Sequence, residues 1–367
     1  MKRIIYIPFD HLHRKFGALK DADPKTDVIA FVESARMTTG RNWHPERLFF
    51  LISSARHFAK SLEDEGFTVE YVKAATTVDG LKTIQKKHKA LPITCAEPSS
   101  FRQHNQLKDF GVSFVPNDFF LTPRDLFTQW AEGQKSYLME NFYRAQRIRL
   151  GIMVEGNKPT GGAWNFDKEN RLPPPKKYEG PAYLEHKRDE IDKAVAAELG
   201  HTMTTTWATT RKGALAQMKN FFDNHFAEFG PLEDAMTTDN WALHHSLLSP
   251  YINNNLIHPS EVIHAAVKAF NSGKVPIESA EGFIRQIIGW REYVNGMYWF
   301  LGPDYRDNNQ LKATRKLLPL FSDPTKTQMN CIKETVTDIQ SRAWVHHIPR
   351  LMLLSNLALV TGTNPQE

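Results

Sequence analysis

The sequence predicts a doubly wound α/β domain followed by an all-α domain, and three observations predict it. Over the first ~130 residues, short β-branched runs alternate with amphipathic stretches. Between about 151 and 180 the pattern gives way to Gly and Pro punctuation. Past Pro181, helical spacings follow one another with no strand between them. The 367 residues suit two or three domains at roughly 150 residues each. With 41% hydrophobic and 24% charged residues, the chain has the balance of a globular protein with a real core. The boundaries read as an α/β domain over 1–130, a connector with an ordered loop over 131–205 and a helical domain over 206–367.

Candidate strands lie at 4–7, 28–32, 68–72, 93–96 and 112–115. Between them, 45–65 carries Leu48, Leu51, Ile52, Ala55, Phe58 and Ala59 at helical spacing, and 81–89 reads as a shorter helix. Ligands of doubly wound sheets bind beyond the carboxyl ends of the strands. Asp10, after the first strand, and Glu33, after the second, are therefore candidate contacts, and ordinary loop polarity explains them equally well. No G-x-G-x-x-G follows the first strand and no G-x-x-x-x-G-K-[ST] occurs, which argues against a nicotinamide or ATP domain. In the second half, helices are expected at 213–228, 239–248, 259–271, 280–301 and 343–360.

Lys and Arg number 46 against 41 Asp and Glu, a net charge of +5 that permits a polyanionic partner without establishing one. Only two cysteines occur, Cys95 and Cys331, which excludes a disulfide framework and points to a reducing, cytoplasmic setting. No apolar run approaches the ~20 residues that span a bilayer, and the start is too polar for a signal peptide, so no membrane partner is expected. The 8 Trp, 10 Tyr and 23 Phe suit either large helix interfaces or a pocket for a flat conjugated ligand.

Three segments carry chemistry. In 281–293, Phe283, Ile284, Ile287 and Ile288, continued by Val294, Met297 and Tyr298, form an apolar stripe. Arg285, Gln286, Arg291 and Glu292 stand in or beside it, where unpaired charge is costly, so a structural ion-pair network competes with a ligand role. In 245–252, Ser246 and Ser249 precede Pro250 and suit either helix capping or anion binding. In 344–352, His346 and His347 would project about 100° apart on a helix. That placement is poor for sharing one metal, whereas a histidine in an aromatic pocket can donate a proton near neutral pH.

The segment 281–293 resembles the signature helix of the photolyase and cryptochrome superfamily, and 246–251 resembles its flavin-phosphate loop. Phe221-Phe222-Asp223, Phe229-Gly230-Pro231-Leu232-Glu233-Asp234-Ala235-Met236, the run from Gly161 to Asp167, and Met329-Asn330-Cys331 are similar to the iron–sulfur bacterial branch, the deoxyribodipyrimidine photolyase-related proteins. The resemblance spans the whole chain. It implies an N-terminal antenna domain with a lumazine-type chromophore and a helical FAD-binding domain. Ser246, Leu248 (through its backbone) and Ser249 would hold the flavin phosphates. Gln286 and Arg291 would line the FAD cavity, Arg350 would lie near the isoalloxazine, and His346 and His347 would face the lesion. Cys331 would be the first ligand of a 4Fe-4S cluster.

The implied activity is light-driven repair of pyrimidine photoproducts, of 6-4 type, in UV-damaged DNA by a monomer. A cryptochrome-type blue-light photoreceptor without repair, or a non-catalytic truncated remnant, are the alternatives. The family pattern continues beyond position 367 with three further cluster cysteines, so no cluster is expected to assemble in this chain. Asp323 stands eight residues before Cys331, where repair-active relatives carry a relay tryptophan, and Asn255 stands where the pattern prefers glycine.

Overall fold

Strands covered on both faces are apolar throughout instead of alternating, and such runs form the centre of a five-stranded parallel sheet. Its strands are β1 (Arg3–Tyr6), β2 (Asp27–Ser34), β3 (Thr68–Ala74), β4 (Ile93–Ala96) and β5 (Ser113–Val115), in the order β3-β2-β1-β4-β5. Ile4 pairs with Val28 on one side and Ile93 on the other, and all eight residues of β2 are buried. The crossovers include the helices Pro45–Asp64, Thr77–Lys87 and Phe101–Asp109. Pro45 occupies the first turn of its helix, where a missing N–H costs nothing. Thr76 and Ser100 cap the other two by accepting the backbone N–H of Asp79 and Gln103. Strand order reverses at β1, and Asp10 follows that strand, at the kind of switch point where such sheets bind ligands.

The computed structural model describes residues 1–367 as two units. The first comprises 1–123, 184–218 and 248–262 and contains the sheet; the second comprises 124–183, 219–247 and 263–367 and is mainly helical. Asn255, in the first, adopts φ 62, the left-handed conformation that explains why glycine suits this position and why asparagine tolerates it. Its amide donates to the Asp10 carbonyl at 2.6 Å. In the second unit, Phe221, Phe222, Phe226, Phe229 and Phe283 pack ring to ring with centroids 4.8–6.1 Å apart. Much of the aromatic excess is thus helix-interface packing.

Several expectations require correction. Glu33 lies inside β2, opposite Lys73, not after the strand. Residues 239–248 are not a helix: Asn240 Oδ1 accepts the N–H groups of Ala242 and Leu243, a local alternative to helical bonding, and Leu243 and Leu247 take left-handed φ of 48 and 57. The stretch 213–228 is divided between Arg211–Asn224 and Phe226–Leu232. The last helix does not start at 343. Ala343, at φ 57, ends Asn330–Arg342, and helical winding resumes only at His347. His346 and His347 therefore do not diverge on a common helix.

The stripe through 280–301 also differs. Ile277–Ile284 and Glu292–Leu301 are α-helical, but Arg285–Arg291 is wound as a π-helix. On an α-helix, residues four apart drift about 40° around the axis, so Ile284, Ile288, Glu292 and Gly296 would leave one face. The wider winding keeps them aligned, and all four are buried. Val294 and Tyr298, which an unbroken α-helix would bury, are instead 58% and 41% exposed. Gly296 sits against the Phe127 ring so closely that a methyl group would overlap it. Gly296→Ala should lower stability by about 1–3 kcal/mol, the usual range for overpacking, measured as a shift in the thermal midpoint.

Candidate functional site

Two polar clusters in the second unit are built around this π-wound helix and the turn before the last helix. The first begins with the fully buried Glu281. Its carboxylate accepts from Tyr143 Oη at 2.8 Å and from the Phe166 backbone N–H at 3.1 Å, and Arg285 Nε lies 3.6 Å away. Arg285 also pairs with Asp167. Burial raises the Glu281 pKa, with Arg285 opposing it. The connector, which by sequence is only an ordered loop, thus supplies Phe166 and Asp167 to the helix. Buried Arg147 anchors it by donating to the carbonyls of Trp164, Ile152 and Met153.

Beside this network, Glu233 accepts from Asn170 Nδ2 and Gln286 Nε2, each at 2.8 Å. Gln286 also donates to the Gly282 carbonyl at 3.1 Å. Any side chain at Gly282 would meet Glu233 Oε2 and Asn170 Nδ2 at 2.8 Å, so the glycine permits the close approach. Burial pushes the Glu233 pKa up to about 7, with Arg285 opposing the shift.

A stability prediction follows from that displacement. Below the ordinary value of 4.5 the carboxyl is protonated in both folded and unfolded chains. Between 4.5 and about 7 only the unfolded chain ionises, so stability falls as pH rises, by about 3 kcal/mol in total, and then levels off. Glu233→Gln should flatten this dependence between pH 5 and 8, measured by denaturation at each pH. The new amide can donate to Asn170 once that side chain turns over, while its oxygen still accepts from Gln286.

The second cluster joins three histidines. His245 and His346 stack with ring centroids 4.3 Å apart, and His347 lies 5.7 Å from His245 and 6.1 Å from His346. His245 Nδ1 is bonded to the Ala242 carbonyl at 3.0 Å. His347 Nε2 is 3.4 Å from Asp234 Oδ1, with 39% of its side chain exposed. Burial lowers the pKa of all three, that of His346 to about 3; Asp234 partly opposes the shift at His347. Burial thus disfavours the charged form of each of these imidazoles. Sequence spacing cannot single out Asp234 or His245 as neighbours of His347, because they are about 100 positions away.

The other candidates fall as follows. Arg291 is half-buried beside Glu292 at 2.9 Å, and desolvation lowers its pKa. Arg350 is exposed, three residues beyond His347. Ser246 is half-buried in the second unit, whereas buried Leu248 and exposed Ser249 belong to the first, where Ser249 starts the short helix Ser249–Asn253. Asp10 and Glu33 are also in the first unit. The Glu33 carboxylate is held by Arg56 at 3.0 Å and Tyr71 Oη at 2.9 Å. Next to Asp10, His11 is buried and stacked on Phe119; neither ring nitrogen makes a hydrogen bond, and Nε2 lies 3.9 Å from Asp10 Oδ1. Cys331 is exposed; Cys95 is buried in β4, and burial raises its thiol pKa well above the ordinary value.

Residues 5–213 match the family model described as deoxyribodipyrimidine photo-lyase-related protein. Over its full length the chain is 35% identical to a (6-4) photolyase of Agrobacterium fabrum and covers 76% of that protein. Among solved structures, it superposes on a bacterial class III photolyase from Agrobacterium tumefaciens with a TM-score of 0.66 at 18% identity, over 99% of this chain and 73% of that one. It superposes on a cryptochrome of Synechocystis with a TM-score of 0.70 at 13% identity, over 99% of this chain and 76% of that one. At these identities the two structures bear on the fold alone.

Proposed function

Since the chain belongs to the deoxyribodipyrimidine photo-lyase-related family of the photolyase and cryptochrome superfamily, we propose that it is a flavin-dependent enzyme that uses light to repair (6-4) pyrimidine photoproducts in DNA. The observation that carries this reading is the His245, His346 and His347 cluster, with His347 partly exposed beside Asp234, in a chain aligned over its whole length with a (6-4) photolyase.

The donor set suits FAD. Arg291, paired with the Glu292 carboxylate at 2.9 Å, is a guanidinium of the kind that binds phosphate through charge-assisted hydrogen bonds. Ser246 and Ser249 through their hydroxyls, and Leu248 through its amide, are assigned to the phosphates. Gln286 and Arg291 are assigned to the cavity wall and Arg350 to the ring. When bound and reduced, FAD supplies a light-excited electron for the lesion. His347, oriented by Asp234 at Nε2, carries the transferable proton on Nδ1 when charged, and His346 packs behind it as a neutral ring. Residues 1–130 are assigned to a lumazine-type antenna chromophore. Asp10 is its contact, and the buried His11 ring, whose nitrogens make no hydrogen bond, is the feature that favours a hydrogen-bonding ring there. Glu33 contributes only if it exchanges its partners Arg56 and Tyr71. Residues 131–205 connect this domain to the FAD-binding residues 206–367.

Cys331 offers one thiolate where a 4Fe-4S cluster takes four, so the two cysteines of this sequence do not fit that group and no step runs through it. A monomer acting on UV-damaged DNA is the simplest working form. No helix is long and apolar enough to cross a membrane.

The test combines the chain with reduced FAD and an oligonucleotide bearing one (6-4) photoproduct, under blue light and in darkness. Light-dependent recovery of the two pyrimidines is expected. Bound, photoreducible flavin without repair would favour a photoreceptor, and failure to bind flavin would favour a non-catalytic remnant.

A further inference from the structure

His245, His346 and His347 each offer a ring nitrogen, and the three nitrogens lie within 4.8 Å of one another. With His245 Nδ1 bonded to the Ala242 carbonyl, its buried Nε2 makes no hydrogen bond of normal length, although the Glu233 backbone acts on the ring electrostatically. That is the arrangement of a metal-ligating histidine, whose second ring nitrogen is tied to a carbonyl or carboxylate. The Nδ1 of His346 is likewise buried without a partner. His347 turns Nε2 toward Asp234 at 3.4 Å, leaving Nδ1 as its ligand atom and a carboxylate in the outer shell. His245 and His346 are 91% and 95% buried, so their vacant nitrogens are not accounted for by solvent.

We propose that these three imidazoles form a binding site for a divalent transition-metal ion of the zinc or cobalt type, with a fourth position left open beside His347. Three neutral nitrogen ligands select such ions over magnesium or calcium, which require oxygen. Zinc–nitrogen bonds of about 2.0–2.1 Å place ligand nitrogens about 3.3 Å apart on a tetrahedron, so the rings draw closer together when an ion binds. A three-histidine site with one open coordination position is a recurrent zinc geometry. An ion bound here takes the lone pair of His347 and competes with its role in proton transfer; that consequence alone rests on the proposed function.

The experiment is a titration of the untagged full chain with cobalt(II) in darkness, without flavin or DNA, followed by its visible d–d bands. Bands saturating at one equivalent, displaced by zinc(II) and unaffected by a tenfold excess (~10-fold) of magnesium, are expected. His245→Ala and His347→Ala should each abolish them, and Asp234→Asn should weaken binding by about 10–100-fold. His347 is partly exposed, so its variant keeps the fold, which circular dichroism verifies. Absence of bands, or bands unchanged in both histidine variants, overturns the site. Failure of photorepair does not alter this dark binding result, and failure of cobalt binding does not alter the repair assay.

Discussion

His347→Ala should reduce light-driven repair by about 100-fold or more, the usual loss on removing a general acid, while lesion binding stays within about threefold, or ~0.65 kcal/mol. The separation arises because DNA affinity depends mainly on cations that meet phosphates, and flipping of the lesion exposes it to the histidine only once bound. The pH profile supplies a second check. Burial places the His347 pKa below its ordinary 6.5, with Asp234 opposing, so the charged, proton-donating form grows as pH falls. Repair in the unmutated protein should therefore rise toward acid pH, and the residual activity of His347→Ala should lack that limb. Gel-shift titration and an illuminated repair assay on one damaged oligonucleotide measure both quantities; undiminished repair in the variant would remove the catalytic assignment.

Arg285→Ala should cost about 3–5 kcal/mol of stability, the range for breaking a buried ion pair by removing one partner. Glu281 is fully buried and Arg285 is the cation that acts on it most strongly, ahead of Arg147, while its hydrogen-bond donors, Tyr143 Oη and the Phe166 N–H, are uncharged. Asp167 is released at the same time, freeing the connector from the helix. Pairing Arg285→Met with Glu281→Gln should restore most of the loss, because an apolar replacement of a buried pair is often neutral. Chemical denaturation of the single and double variants decides the matter. A single-variant loss below about 1 kcal/mol would mean that water reaches the pair.

The α/β domain was legible in the sequence because its determinants are local: uninterrupted apolar runs at β1 and β2, capped crossover helices and turn residues each act within a few positions. The residues that resemble a known family were legible for the same reason, as short contiguous segments at 246–251 and 281–293. What periodicity could not show was winding. An α-helical reading of 280–301 buries Val294 and Tyr298, whereas the π-wound turn from Arg285 to Arg291 exposes them and turns Glu292 and Gly296 inward. That choice depends on the packing opposite the helix, including Phe127 at Gly296, and those partners are about 170 positions away.

The histidines give the sharper case. Adjacent residues on a continuous helix diverge, as His346 and His347 would, but Ala343 ends the preceding helix in a left-handed conformation and winding resumes only at His347. His245 and Asp234 then approach from a segment held in irregular form by Asn240. The sequence by itself determined which chemical groups exist and which local elements carry them. Only the tertiary structure decided which groups meet and how their pKa values shift, because burial and long-range contact, not spacing, raise the Glu233 pKa to about 7 and lower those of three imidazoles within one cluster.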